Sequence, residues 1–138
     1  ATHDKDALAA FISHRDYDLI SCGMFDDAAA SLALKHKEAI LERNRSIVRN
    51  NLRILDDWVN SSSHFFYTKP QAGTTALVYY DFDIPSYDFC RRLYDETGAF
   101  VTPGDAFGEK HSMRIGYGSD TETLKEGLKA ISAFADKL

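Results

Sequence analysis

The chain has 138 residues, of which 44% are hydrophobic, and a formal net charge of −5 from 21 acidic and 16 basic side chains. This composition is typical of a soluble globular domain and excludes collagen-like and disordered chains. Phosphate binding needs a concentrated excess of Lys and Arg, and a bilayer span needs about 20 consecutive apolar residues. Neither feature is present, so we expect no nucleic-acid partner and no membrane partner.

The N-terminal part predicts two short helices. Residues 5–16 carry apolar side chains at helical spacing, with Asp4 or Asp6 available as the N-cap. After a less regular stretch, Asp26 or Asp27 is expected to cap an alanine-rich segment with high helix propensity.

Residues 36–60 form the most periodic stretch and predict a helix about 37 Å long. Its apolar positions fall on one stripe with charge opposite. These positions are Ile40, Leu41, Ile47, Val48, Leu52, Leu55, Trp58 and Val59. Four arginines are spread around the same helix among acidic residues, which indicates a solvated face. They are Arg43, Arg45, Arg49 and Arg53.

The second half changes to strand-like patterns. A short strand in residues 64–70 ends at Pro70, and a turn at Gly73 leads into an aromatic, β-branched strand over residues 74–84. Pro85 then opens a helix.

That helix ends at Gly98, and strands are predicted within residues 99–104 and 113–118. Ser119 and Glu122 form a capping box for the last helix. The stripe of this helix is Leu124, Leu128, Ile131, Ala135 and Leu138.

The predicted fold class is α+β (α/β). Helices, one of them long, precede a β-α-β-β-α small domain, whose mainly antiparallel sheet has three strands and helices on one face. So small a sheet cannot cover the long helix fully, so we expect another surface to pack on it.

Arg114 is the first candidate functional residue. In an alternating strand Met113, Ile115 and Tyr117 share one face, which leaves Arg114 on the other face with Gly116. A guanidinium beside glycine has room for a carboxylate held by two parallel hydrogen bonds. The alternative is a surface arginine on the solvent-exposed side of a sheet, and the motif alone favours this alternative, because arginine is mostly exposed.

The remaining candidates give no complete catalytic constellation. The glycine-rich loop at residues 101–108 either approaches a ligand or simply connects two strands, and it is not a phosphate loop. The five histidines lack metal-ligand spacing and are interpreted as solvated, as are Asp81 and Asp83. Two cysteines, Cys22 and Cys90, predict neither a disulfide framework nor a metal site and fit a reducing cytoplasmic location.

An ordered set of motifs nevertheless runs through residues 65–138. Its members are Pro70-x-x-Gly73, Tyr94-Asp95-Glu96-Thr97-Gly98, the run from Phe100 to Gly108, Met113-Arg114-Ile115-Gly116-Tyr117 and Leu124-Lys125-Glu126-Gly127-Leu128. This set resembles the C-terminal part of class I/II pyridoxal-phosphate-dependent aminotransferases of fold type I. Residues 1–64 are similar, more loosely, to the interdomain helices of that family.

The resemblance implies that Arg114 binds the α-carboxylate of the substrate and that the loop at 103–108 lies near the active-site mouth. It implies that residues 1–35 are a helical remnant of the large or interdomain region. It also implies that residues 36–138 are the C-terminal small domain with its long leading helix. The implied cofactor is pyridoxal 5'-phosphate (PLP), the implied substrates are an amino acid and a 2-oxo acid, and the implied assembly is a homodimer. The amino donor is not identified.

The family holds PLP through a lysine in an S-x-x-K segment, and this sequence has no such segment. The resemblance places that lysine just before Ala1, which fits the absent initiator Met, so we expect a C-terminal fragment with no catalytic residue and no activity alone. The alternatives are a complete α+β small-molecule-binding module with Arg114 as an anion anchor, or an interaction protein that uses the long helix.

Overall fold

The structure, a computed structural model, describes residues 2–19 and 21–138. It divides into two compact units, Ala1–Leu41 and Glu42–Leu138. The helices and strands follow one another as α1 (Lys5–Asp18), α2 (Met24–Lys35), α3 (Lys37–Ser61), β1 (Phe65–Tyr67), β2 (Thr75–Tyr80), α4 (Ser86–Thr97), β3 (Thr102–Pro103), a 3-10 helix (Gly104–Phe107), β4 (Ser112–Gly116) and α5 (Thr121–Ala135).

The first unit confirms one predicted cap and corrects another. Asp4 caps α1, because its Oδ1 accepts hydrogen bonds from the backbone N–H groups of Asp6 and Ala7 at 2.9 and 3.1 Å. α2 begins earlier than expected, with Gly23 as the N-cap residue. The prediction of an aspartate cap was wrong: both aspartates lie in the first turn, where the helix dipole favours negative charge.

The long helix α3 begins at Lys37, and within the second unit its stripe faces the core. Leu55 and Val59 are buried there, and Trp58 stacks on Phe65 with ring centroids 4.8 Å apart. The sequence pattern did not single out Asn51, which lies on the same helix and is also fully buried.

The sheet has four strands in the order β1-β2-β4-β3, one more than the three expected in the sheet, because the short strand predicted in residues 64–70 joins it as β1; every pairing is antiparallel. β3 is only two residues long, because Pro103 leads directly into the 3-10 helix. The inward face of the sheet and the helices α3, α4 and α5 share one core. Its largest fully buried side chains are Tyr80, Tyr117, Phe89, Phe134, Leu55, Leu93, Met113, Ile131 and Val78.

The ends of the last two helices show one success and one error. Gly98 ends α4 with φ +75°, as predicted, since glycine adopts this left-handed conformation without strain. The capping box of Ser119 and Glu122 was wrong, because Asp120 caps α5 by accepting from the backbone N–H of Thr123 at 2.9 Å. That hydrogen bond lowers the pKa of Asp120. α5 also stops before the last residue of the predicted stripe, Leu138, which is exposed.

Candidate functional site

The site is built around Arg114, in the middle of β4. Its strand neighbours Met113 and Ile115 are buried while Arg114 is exposed, so the predicted alternation of faces is confirmed. Directly across the sheet lie Leu77 on β2 and Thr102 on β3. No hydrogen bond or ion pair engages the Arg114 guanidinium within the described part of the chain, which leaves its N–H donors available to a ligand.

An aromatic ring covers one face of that guanidinium. Cζ of Arg114 lies 4.6 Å from the ring centroid of Phe107, which is within cation–π range. The sequence analysis noted Phe107 only as part of a glycine-rich loop and did not connect it with Arg114. The missing signal was the pairing of β3 with β4, which folds the intervening loop back over the outer face of β4.

The segment that holds Phe107 is fixed to two other elements. A Cβ on Gly104 would overlap the Ser112 hydroxyl and lie 2.5 Å from the Glu109 carbonyl oxygen, so only glycine lets the 3-10 helix begin this close to β4. The Ser112 hydroxyl donates to that same carbonyl at 3.1 Å. At the other side, Oδ2 of Asp105 accepts from the backbone N–H of Tyr87, in the first turn of α4, at 3.0 Å.

The outer face of the sheet continues away from Arg114 as an aromatic surface. Tyr79 stacks on Phe66 with centroids 5.7 Å apart, and its hydroxyl donates to Oε2 of Glu109 at 3.2 Å. Burial and then the Glu109 carboxylate raise the pKa of Tyr79. This tyrosine is therefore a neutral hydrogen-bond donor at physiological pH.

The other candidates do not join this site. β2 ends at Tyr80, so Asp81 lies beyond the strand and pairs with His64, whose Nδ1 is 3.0 Å from Oδ1 of Asp81. The His64 side chain stays half-exposed in this contact, which is compatible with its interpretation as solvated. Cys90 is buried, and burial raises the pKa of its thiol to about 12, while Cys22 is exposed.

Two kinds of feature are absent from residues 2–19 and 21–138. They contain no group of three His, Cys, Asp or Glu side chains placed to hold a metal ion. None of their helices combines the length and apolar character that crossing a bilayer requires.

The sequence matches the family described as aminotransferase class I and II over residues 11–131. The capreomycidine synthase of Streptomyces vinaceus is 30% identical over 129 residues, which is 93% of this chain and 33% of that protein. The aspartate aminotransferase of Rhizobium meliloti strain 1021 is 31% identical over 135 residues, 86% of this chain and 32% of that enzyme. The chain thus spans about a third of the length of these curated relatives.

A solved structure gives the same relationship. A PLP-dependent aminotransferase from Streptococcus suis is 40% identical and superposes with a TM-score of 0.88. The match covers 91% of this chain and 33% of that protein.

Proposed function

This chain belongs to the class I and II aminotransferase family, and we propose that it is the C-terminal small domain, with its interdomain helices, of a longer PLP-dependent aminotransferase. The proposed parent enzyme moves an amino group between an amino acid and a 2-oxo acid. A homodimer, which the family resemblance implies, stays a prediction. The proposal is supported by the share of the relatives that the chain covers and by the exposed apolar side chains of its first 41 residues, which a larger enzyme would cover.

The observation that best supports the proposal is the exposed guanidinium of Arg114, which has no hydrogen-bond or ion-pair partner among the described residues. Because guanidinium is planar, two of its N–H groups can donate in parallel to the two oxygens of a carboxylate. We therefore assign to Arg114 the binding of the substrate α-carboxylate. Held this way, a substrate is fixed in orientation as well as in position, which is the contribution that a binding residue makes to catalysis.

The described residues do not fit PLP by themselves. All eight lysines are exposed, and Lys69, Lys125 and Lys137 are within ion-pair distance of carboxylates. No lysine is therefore buried in a way that would anchor the cofactor beside Arg114. The role proposed for this chain is accordingly limited to binding and orienting the substrate.

The assignment of Arg114 is tested by Arg114→Lys in the full-length enzyme. Lysine keeps the charge but loses the two parallel donors, so kcat/KM should fall by roughly 10-fold to 100-fold, the equivalent of one strong charged hydrogen bond. The matched control is Arg91→Lys, because Arg91 is exposed on α4 and pairs only with groups of its own helix. Near-normal kinetics for Arg114→Lys would remove Arg114 from the mechanism.

The fragment assignment is tested by the mass of the native gene product and by the 138-residue chain alone. We expect a product near the length of the relatives, and a purified chain with neither transamination nor the cofactor absorbance at about 420 nm. Cofactor binding or activity in the short chain would refute the fragment assignment. A native product of 138 residues would favour the alternative, a small-molecule-binding or interaction module in which Arg114 anchors an anion.

A further inference from the structure

We propose that Phe107 is a positioning residue for Arg114: its ring holds the guanidinium in one orientation before the carboxylate arrives. The proposal rests on the carboxylate-binding role of Arg114 given above. It adds a second residue to the site, one that acts through Arg114 without touching the reacting atoms.

The Phe107 ring and a carboxylate can contact the Arg114 guanidinium at the same time. The ring lies against the face of the guanidinium, with 4.6 Å between Cζ and the ring centroid. A carboxylate binds in the plane of the guanidinium, along its N–H bonds. The two partners therefore use different directions, and the ring also keeps water from one side of the charged group.

The ring can restrain Arg114 because its own segment is restrained. The 3-10 helix begins at Gly104, packed against Ser112 two residues before Arg114 on β4. Asp105 fixes the same short helix to the first turn of α4 through the backbone N–H of Tyr87. The segment that carries Phe107 is thus attached at two points, while Phe107 itself is 48% exposed and its ring contacts Arg114.

The expected consequence is a gain in affinity through preorganisation. A free arginine side chain samples many rotamers, and ordering it on binding opposes association. A cation–π contact at an exposed site is strong enough to shift binding about twofold to fivefold. Since the carboxylate is held alike in the ground state and the transition state, the effect should appear in KM and leave kcat nearly unchanged.

The kinetic experiment compares three variants of the full-length enzyme. Phe107→Leu removes the π face and should raise KM for the amino acid about twofold to fivefold, with kcat nearly unchanged. Phe107→Tyr keeps the ring and should restore the original KM. Phe100→Leu is the matched control, because Phe100 is also exposed but its ring contact is with Tyr94 and not with a cation.

A second measurement follows the side chain itself in the 138-residue chain. The order parameter of the Arg114 Nε–Hε bond, from ¹⁵N relaxation, should exceed about 0.6 and fall below that value in Phe107→Leu but not in Phe100→Leu. Thermal unfolding shows whether each variant is folded. If Phe107→Leu unfolds, Phe107→Tyr is measured in its place, and its order parameter is expected to be unchanged. A purely structural role for Phe107 would change the unfolding temperature and leave the order parameter of the folded state unchanged.

The outcomes separate the two proposals. If Arg114→Lys impairs the enzyme but Phe107→Leu changes neither KM nor the order parameter, Phe107 has no positioning role and the function of Arg114 stands. If Arg114→Lys has no effect, the proposed function fails, and the role of Phe107 fails with it. A loss of kcat in Phe107→Leu at constant KM would also overturn the proposal.

Discussion

The buried amide of Asn51 is expected to be a large polar contribution to the stability of the second unit. Its Nδ2 donates to the carbonyl oxygens of Tyr117 and Ser119 at 3.0 and 2.8 Å, and its Oδ1 accepts from the Thr121 hydroxyl at 2.7 Å. One side chain of α3 thus holds the whole connection between β4 and α5. That connection follows directly after the strand that carries Arg114.

Asn51→Ala removes all three hydrogen bonds and leaves their partners behind. A buried polar group without a partner costs about 1–3 kcal/mol, but the Ser119 and Thr121 groups are partly buried and can reach water. Alanine also has the better helix propensity, which offsets about 0.6 kcal/mol. The free energy of unfolding should therefore fall by about 3 kcal/mol, out of the 5–15 kcal/mol typical of a domain.

The measurement is urea denaturation followed by the fluorescence of Trp58, whose indole N–H donates to Ser132 on α5 at 2.8 Å. Asn50→Ala is the matched control, because Asn50 is the exposed neighbour on the same helix and should change the stability only by the same gain in helix propensity, about 0.6 kcal/mol. If Asn51→Ala stays within about 1 kcal/mol of that control, water or a local rearrangement satisfies the three groups and the argument is wrong.

Two further predictions concern titratable groups. Hydrogen bonds from the Lys69 ammonium and, second in size, from the Tyr67 hydroxyl hold the pKa of Asp56 below its ordinary 3.8. The Asp56 carboxylate therefore stabilises the fold above about pH 4, and this contribution is lost as the pH falls through the lowered pKa. Asp56→Asn should cost about 1 kcal/mol in urea denaturation at pH 7, and its difference from the wild type should close as the pH falls through the lowered pKa of Asp56; a constant difference would contradict this. In the native chain a thiol reagent at pH 8 should label Cys22 and not Cys90, whose thiol is buried and has a pKa of about 12, and both should react in denaturant. Equal labelling rates under native conditions would show that α4 opens readily.

The side of the strand on which Arg114 lies could be predicted from sequence because a strand has a fixed period of two. Met113, Ile115 and Tyr117 are all buried, so the opposite face had to be the accessible one. The end of α4 at Gly98 could also be predicted, since a residue in the left-handed conformation at a helix end is usually glycine.

The rest depended on contacts between residues far apart in sequence. Ser119 and Asp120 are adjacent acceptors, but Asp120 caps α5, while the Ser119 carbonyl accepts from Asn51, 68 residues away. In the sequence, Asn51 is a polar residue beside the apolar stripe of α3, and nothing in that pattern indicates that it is buried. The stacking of Phe107 on Arg114 requires the pairing of β3 with β4, and β3 is too short to show a pattern of its own.

The first 41 residues show a different limit, because there the pattern predicts the helices but not what covers them. Leu8, Phe11 and Ile12 have helical spacing on α1, yet they are 45%, 68% and 45% exposed. Helices of 12 and 14 residues are marginal in water and usually depend on packing of their apolar face. Arg114 also lacks a partner: its guanidinium can donate two parallel hydrogen bonds, but the described residues offer it no acceptor. The proposed longer aminotransferase would supply both an apolar cover for α1 and a substrate for Arg114 and would account for the two observations together, whereas a self-sufficient module would have to explain each of them separately.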